Sequence, residues 1–318
     1  MSINLTDPMF HDEDAARAHI EKLRWPNGPF CPHCGATDGN TLLKGKSHRP
    51  GLYQCNHCRE PFSVTVGTVM ERSHIPLAKW VLGFRLMAAS KKGMSSKQLE
   101  RMLDVTYKTA WFMSHRIREA MTDPAPIPLG GEGKIVEADE AYHGKRETPI
   151  VSDARRGRPY LKKGKGGGRE KRTVVALVER GGEVRAKHVM GRVTASNVRD
   201  VVVRNADRAS RLQTDESALY VAFGKEFATH ETVHHAAKEY ARGDVTTNSV
   251  EGFFGILKRG MNGVYQHCGE QHFQRYLNEF AFRYNYRIKL GYNDDDRAAV
   301  AIRGASGKRL TYRGPRPA

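Results

Sequence analysis

Asn248-Ser249-Val250-Glu251-Gly252-Phe253-Phe254-Gly255-Ile256-Leu257-Lys258 decides how this chain is read. At 3.6 residues per turn its side chains fall on two opposed faces. Val250, Phe253, Phe254 and Leu257 form an apolar stripe wide enough to seat a helix on a core. Asn248, Glu251, Gly255 and Lys258 form the other stripe, so a carboxylate and an ammonium look outward together, two turns apart. A plain amphipathic surface helix with an exposed Glu fits the same stripe. What lies upstream separates the two readings.

Two short apolar strands upstream each end in an acid, Ile135-Val136-Glu137-Ala138-Asp139 and Arg211-Leu212-Gln213-Thr214-Asp215. Between them, 173–178 reads as a buried strand, Gly181-Gly182 as a turn and 183–190 as its hairpin partner. A helix capped by Thr194 or Ser196 follows. A further strand is expected near 230–234 and a last helix over 271–287. Asp139 and Asp215 sit where a loop can expose them side by side, and 35 residues separate Asp215 from Glu251. Three gathered acids repel one another unless a cation lies among them, and hard carboxylate oxygens select Mg2+ or Mn2+. Two such ions, about 3.5 to 4 Å apart, suit in-line phosphodiester chemistry. Glu137 and Glu140 flank Asp139 and are expected to point to the opposite face, away from any metal. His143, Lys145 and Arg146 follow as a basic loop that could touch a nucleic-acid strand or simply be solvated.

Composition points to the same partner. The 318 residues carry 52 Lys and Arg against 35 Asp and Glu, a formal net charge of +17. An acidic polymer, DNA first, is the natural counterpart. No apolar run approaches the ~20 residues of a membrane span. The N-terminus lacks a secretory pattern, so a cytoplasmic protein is expected.

Cys31-Pro-His-Cys34 and Cys55-Asn-His-Cys58 lie 20 residues apart. Each pair turns two thiolates toward one point, and two such turns complete a tetrahedral Zn2+ shell. The zinc is therefore expected to be structural, on Cys31, Cys34, Cys55 and Cys58, within a three-stranded ribbon preceded by a helix over 12–23. Three helices follow over 76–91, 97–103 and 107–121. The short break before the third gives the outline of a helix-turn-helix, with Lys108, Arg116 and Arg118 available to phosphates or base edges. A trihelical connector with a solvated basic face is the other reading. The expected domains are 1–72 (helix and zinc ribbon), 73–122 (helix-turn-helix-like), a 123–133 linker and 134–318 (catalytic). Residues 155–172, rich in Gly, Arg and Lys, read as a long exposed loop.

The assembled motifs resemble a known family. Trp25-Pro26, the two CxxC pairs, Ala138-Asp139-Glu140-Ala141-Tyr142, Thr214-Asp215-Glu216, the Asn248 to Lys258 helix and Arg283-Tyr284-Asn285 are similar to the DDE transposases of bacterial insertion sequences. The specific likeness is to the fifteen-ninety-five group, with its N-terminal zinc ribbon and ISXO-two-like transposase domain. The resemblance implies a ribonuclease H-like mixed α/β catalytic domain, two divalent metals on Asp139, Asp215 and Glu251, and movement of the chain's own element. Members carry Asn or Glu as the third acidic-type residue, followed by Lys. Asn248 and Glu251 share one face here, and spacing and charge favour Glu251, with Lys258 on DNA.

The leading expectation is thus an enzyme that binds terminal inverted repeats, cleaves DNA and transfers the strand to target DNA, assembled on DNA as a homodimer or higher oligomer. A ribonuclease H-like nuclease or resolvase without strand transfer is the alternative, followed by a DNA-binding regulator derived from a transposase.

Overall fold

In the computed structural model, which describes residues 4–147 and 171–311, helix α1 (Glu13–Arg24) starts where the Asp12 carboxylate accepts the Ala15 N–H at 2.7 Å. It stops at Trp25, ahead of Pro26. The zinc-ribbon strands follow as an antiparallel sheet, β1 (Asn40–Leu42), β2 (Tyr53–Cys55) and β3 (Pro61–Phe62). Strands this short bury little, and three rings pack together against them. Tyr53 stacks on Phe62 with centroids 5.6 Å apart, and Trp25 meets Phe62 edge-on at 5.9 Å.

Helix α2 (Leu77–Ala89) is apolar nearly all round, burying Trp80, Phe84 and Met87. Ser95 caps α3 (Ser96–Leu103) and Thr106 caps α4 (Tyr107–Ala120). Asp104 adopts a left-handed conformation between them, φ 48°, which makes the break tight.

The chain divides into two compact units, Met1–Asp123 with Tyr286–Ala318, and Pro124–Asn285. The second unit holds a five-stranded sheet in the order β6-β5-β4-β7-β8. Its strands are β4 (Ile135–Lys145), β5 (Lys171–Glu179), β6 (Val184–Val189), β7 (Arg211–Asp215) and β8 (Thr229–Val233). An antiparallel meander, β4 to β6, is extended by β7 and β8 running parallel to β4. This is the ribonuclease H-like arrangement.

Helices α5 (Ala195–Asn205) and α6 (Ala218–Gly224) cover one face over Val136, Ala138, Val175 and Leu177. Helices α7 (Asn248–Gly260) and α8 (Glu270–Asn285) cover the other over Ala141, Val174, Ala176 and Val178. The apolar stripe of α7 is buried as its spacing implied, with Val250, Phe253, Phe254 and Leu257 all under 5% exposed.

Three features depart from expectation. Strand β4 does not end at Asp139 but runs on to Lys145, so His143 and Lys145, expected in a basic loop, lie in the strand and pair with β5. Leu129, expected in a linker, is 3% exposed, and its N–H donates to Asn205 O at 2.8 Å. Residues from Pro124 onward therefore belong to the second unit. At the other end, α9 (Asp294–Arg303) belongs to the first unit rather than to a catalytic segment running to 318. Arg297 donates to Ala88 O at 3.0 Å, and Arg85 pairs with Asp295 at 3.0 Å, fastening α9 to α2. Apart from Lys171 and Arg172 in β5, the expected 155–172 loop lies outside the described residues.

Candidate active site

Strand β4 pairs with β7 only from Ile135 to Glu137. Beyond that pair the β4–β7 ladder stops, although β7 runs two residues further to Asp215, which the same register sets level with Asp139. Oxygens of Asp139, Glu140 and Asp215 all lie within 4.8 Å of one another. Burial, then Asp215, then Glu140 and Glu251 push the Asp139 carboxyl up to about 7. Burial also raises Asp215 and Glu140. Three carboxylates held this close, in a partly dry setting, disfavour their own charges and suit a divalent cation with hard oxygen preference.

Glu140 was expected to face away. It does leave β4 on the α6 side, but the Tyr220 hydroxyl donates to its Oε2 at 2.6 Å and Ser217 Oγ to its Oε1 at 3.4 Å. Both donors lie within five residues after Asp215 in the chain, so they draw Glu140 to the end of β7 rather than behind the sheet. Strand alternation remains intact, and the end of the ladder lets residues from both faces converge.

Glu251 stands on the first turn of α7, outside the 4.8 Å set but close enough to raise Asp139. Its Oε1 accepts from Thr247 Oγ1 at 3.2 Å and lies 3.5 Å from His235 Nε2. Asn248 is exposed at the start of the same helix. Lys258 is exposed two turns on from Glu251, on the expected stripe. Beside it, an open groove of about 570 Å3 is lined by Tyr142, Lys145, Lys171, Lys258 and His267 among others. Arg146 in that wall is buried, with Nε donating to Lys171 O at 2.7 Å.

Beneath the acids lies a layer the sequence reading missed. Glu137, fully buried, was expected on the face opposite Asp139, but two residues along a strand share a face. It points to α7, where Oε2 accepts the N–H groups of Ser249 and Val250 at 2.7 and 3.2 Å, and Oε1 accepts Ser249 Oγ at 3.0 Å. Arg180 neutralises it at 2.8 Å and also donates to Gln213 Oε1 at 2.7 Å, Asp244 O at 2.7 Å and Thr246 O at 3.3 Å. The alternation of Glu137 with Asp139, and of Gln213 with Asp215, was the available signal.

In the first unit, Cys31 Sγ and Cys58 Sγ are 3.6 Å apart, as are Cys34 Sγ and Cys55 Sγ, and all four sulfurs lie within 4.8 Å. Those spacings fit tetrahedral thiolate coordination of zinc. The two knuckles fold alike: Gly35 N donates to Cys31 O and Arg59 N to Cys55 O, both at 2.9 Å, with φ of 80° and 63°.

The helix-turn-helix residues divide. Lys108 is exposed near the start of α4. Arg118, by contrast, is 1% exposed and donates to Ser114 Oγ at 2.9 Å, so it is not available to phosphates in this fold. Arg116 lies half-buried over the Phe112 ring and donates to Glu71 O and Leu310 O, both at 3.2 Å. The expectation failed because 115 and 118 fall on the side of α4 that meets the helical core.

Residues 128–285 match the ISXO2-like transposase domain and residues 11–60 the transposase zinc-ribbon domain. A curated relative, an uncharacterised protein in the transposable element ISH50 of Halobacterium salinarum, is 28% identical over 283 residues, spanning 86% of this chain and 91% of the relative. Among solved structures, a chain of the simian T-cell lymphotropic virus intasome in complex with PP2A regulatory subunit B56 gamma is 13% identical with a TM-score of 0.29. That match covers 64% of this chain and 65% of the other, just under two thirds of its length. The Mos1 strand transfer complex is 13% identical with a TM-score of 0.28, over 73% of this chain and 79% of that one.

Proposed function

Since this chain belongs to the insertion-sequence transposases that join a transposase zinc ribbon to an ISXO2-like transposase domain, we propose that it binds the terminal inverted repeats of its own element, cleaves there and transfers the freed strand to target DNA. The observation that carries this reading is the convergence of Asp139, within β4, and Asp215, at the end of the neighbouring β7, faced by Glu251 on α7.

Asp139, Asp215 and Glu251 would hold Mg2+ or Mn2+, with Glu140 at the edge of the set. When bound, two divalent ions supply an activated water or 3′-hydroxyl and stabilise the leaving oxygen. The chain's own part is geometric. Sheet and helix hold the acids in register, Tyr220 and Thr247 orient Glu140 and Glu251, and Lys258 meets a phosphate, since an ammonium has no lone pair for a metal. The basic groove beside Lys258 continues the strand's path away from the acids. Zinc on the four cysteines folds a ribbon too small to fold by burial alone. The ribbon and the exposed start of α4 would read the repeats, and assembly on two ends brings at least two copies together.

The test incubates the full chain with Mg2+ and duplexes carrying the element's own ends. Joined products, steeply suppressed by added salt through counterion retention on phosphates, support the reading. Nicks without joining would assign a nuclease instead.

A further inference from the structure

We propose that Glu137 is a positioning residue for the third acid, a buried strand carboxylate that holds the first turn of α7 and so sets where Glu251 stands relative to Asp139 and Asp215. The proposal rests on the reading of those three acids as the metal-holding set.

A helix leaves its first N–H groups without partners, and a local Ser, Thr, Asp or Asn normally satisfies them. Thr247, at that position in α7, makes no capping bond. Its Oγ1 donates to Glu251 Oε1 at 3.2 Å instead. The duty passes to Glu137, which takes the Ser249 and Val250 N–H groups from a different element. The local cap is thereby released to orient Glu251, while the helix end is fixed to the strand that carries Asp139.

The cost of this arrangement also points to function. A carboxylate with no exposed surface is expensive unless it is paired and fully hydrogen-bonded. Here Arg180 pairs with it, and the same guanidinium reaches Gln213 on β7 and Thr246 just before α7. Thr246 N in turn donates to Gln213 Oε1 at 3.0 Å. Glu137 and Gln213 stand two residues before Asp139 and Asp215, respectively. One ion pair thus ties together the three segments from which the three acids project. Stability alone could be met by a local cap over apolar packing, without any buried charge.

The experiment titrates the zinc-loaded full chain with Mn2+ alone and follows free Mn2+ by electron paramagnetic resonance. Glu137→Gln keeps a carbonyl acceptor for the helix but loses the ion pair. It should stay folded and bind Mn2+ roughly tenfold more weakly, a loss of the size that follows when a group bonded directly to a metal ligand is removed. Val202→Ala, in the core on the far face of the sheet, should melt earlier with an unchanged Mn2+ Kd. If it weakens Mn2+ as much as Glu137→Gln, the effect is global and the proposal falls.

Glu251→Gln separates the two levels of the argument. If it weakens Mn2+ while a folded Glu137→Gln does not, positioning by Glu137 is wrong and the metal reading stands. If Glu251→Gln leaves Mn2+ binding untouched, the metal reading fails and takes the proposal with it. Should Glu137→Gln not fold, Ser249→Ala removes only one hydrogen bond to Glu137 and is expected to weaken Mn2+ about threefold; an unchanged Kd overturns the proposal.

Discussion

The Tyr220 hydroxyl donates to Glu140 Oε2 at 2.6 Å, from a ring with no exposed surface. Burial, reinforced by Glu140, raises the phenol well above its ordinary range, so it stays a donor throughout the working pH range. Tyr220→Phe leaves Glu140 with only the 3.4 Å contact from Ser217. We expect it to lower stability by about 1 to 3 kcal/mol, the cost of an unsatisfied buried acceptor, and to reduce nicking. Glu140→Gln should reduce nicking further while leaving the fold intact. Urea melts and a nicking assay on both variants check this, and full activity in Glu140→Gln would remove Glu140 from the site.

Asp139 gives a pH signature in the absence of divalent metal. Its folded-state pKa, about 7, lies above its ordinary value of 3.8. The stability linked to it is therefore fully present below pH 3.8 and is lost as pH rises toward 7. The full shift corresponds to on the order of 4 kcal/mol. Asp139→Asn should therefore melt higher than the metal-free wild type at pH 8, by a margin that shrinks toward pH 5. Mg2+ should restore the wild type more at pH 8 than at pH 6, where it must first displace a proton. A margin independent of pH would show that Asp139 is not under this strain.

Glu251 and Asn248 share the first turn of α7, and only one brings a negative charge. Loss of a single catalytic metal ligand should cut cleavage by several powers of ten, each worth ~1.36 kcal/mol of barrier. Glu251→Gln is expected to abolish Mg2+-dependent nicking with folding and end binding preserved, while Asn248→Ala costs far less. The reverse outcome would move the third ligand to Asn248.

The four sulfurs predict one zinc per chain. Cys55→Ser should release it, measured by metal analysis, and melt the ribbon. Zinc retained in that variant would mean that the ligands lie elsewhere.

Much of this architecture was written in local pattern. The α7 stripe, the β7 strand from Arg211 to Asp215 and the two CxxC knuckles were legible because periodicity or fixed spacing encodes them directly. Glu140 was misplaced because alternation describes a strand's faces and not what happens where its neighbour stops. Arg118 was misread because a basic residue on a helix says nothing of which side the core takes. Arg180, the pivot beneath the acids, carried no signal at all. Its role comes from partners 33 to 66 residues away, a proximity only the folded sheet creates.

The return of the chain to its first unit through α9 has a bearing on synthesis. The second unit, Pro124–Asn285, emerges whole from the ribosome, whereas the first lacks α9 until residues 294–303 have been made. Arg85 and the Ala88 carbonyl wait some two hundred residues for Asp295 and Arg297. A chain cut short after Asn285 therefore carries an incomplete first unit. The order of translation thus makes the first unit the last to mature.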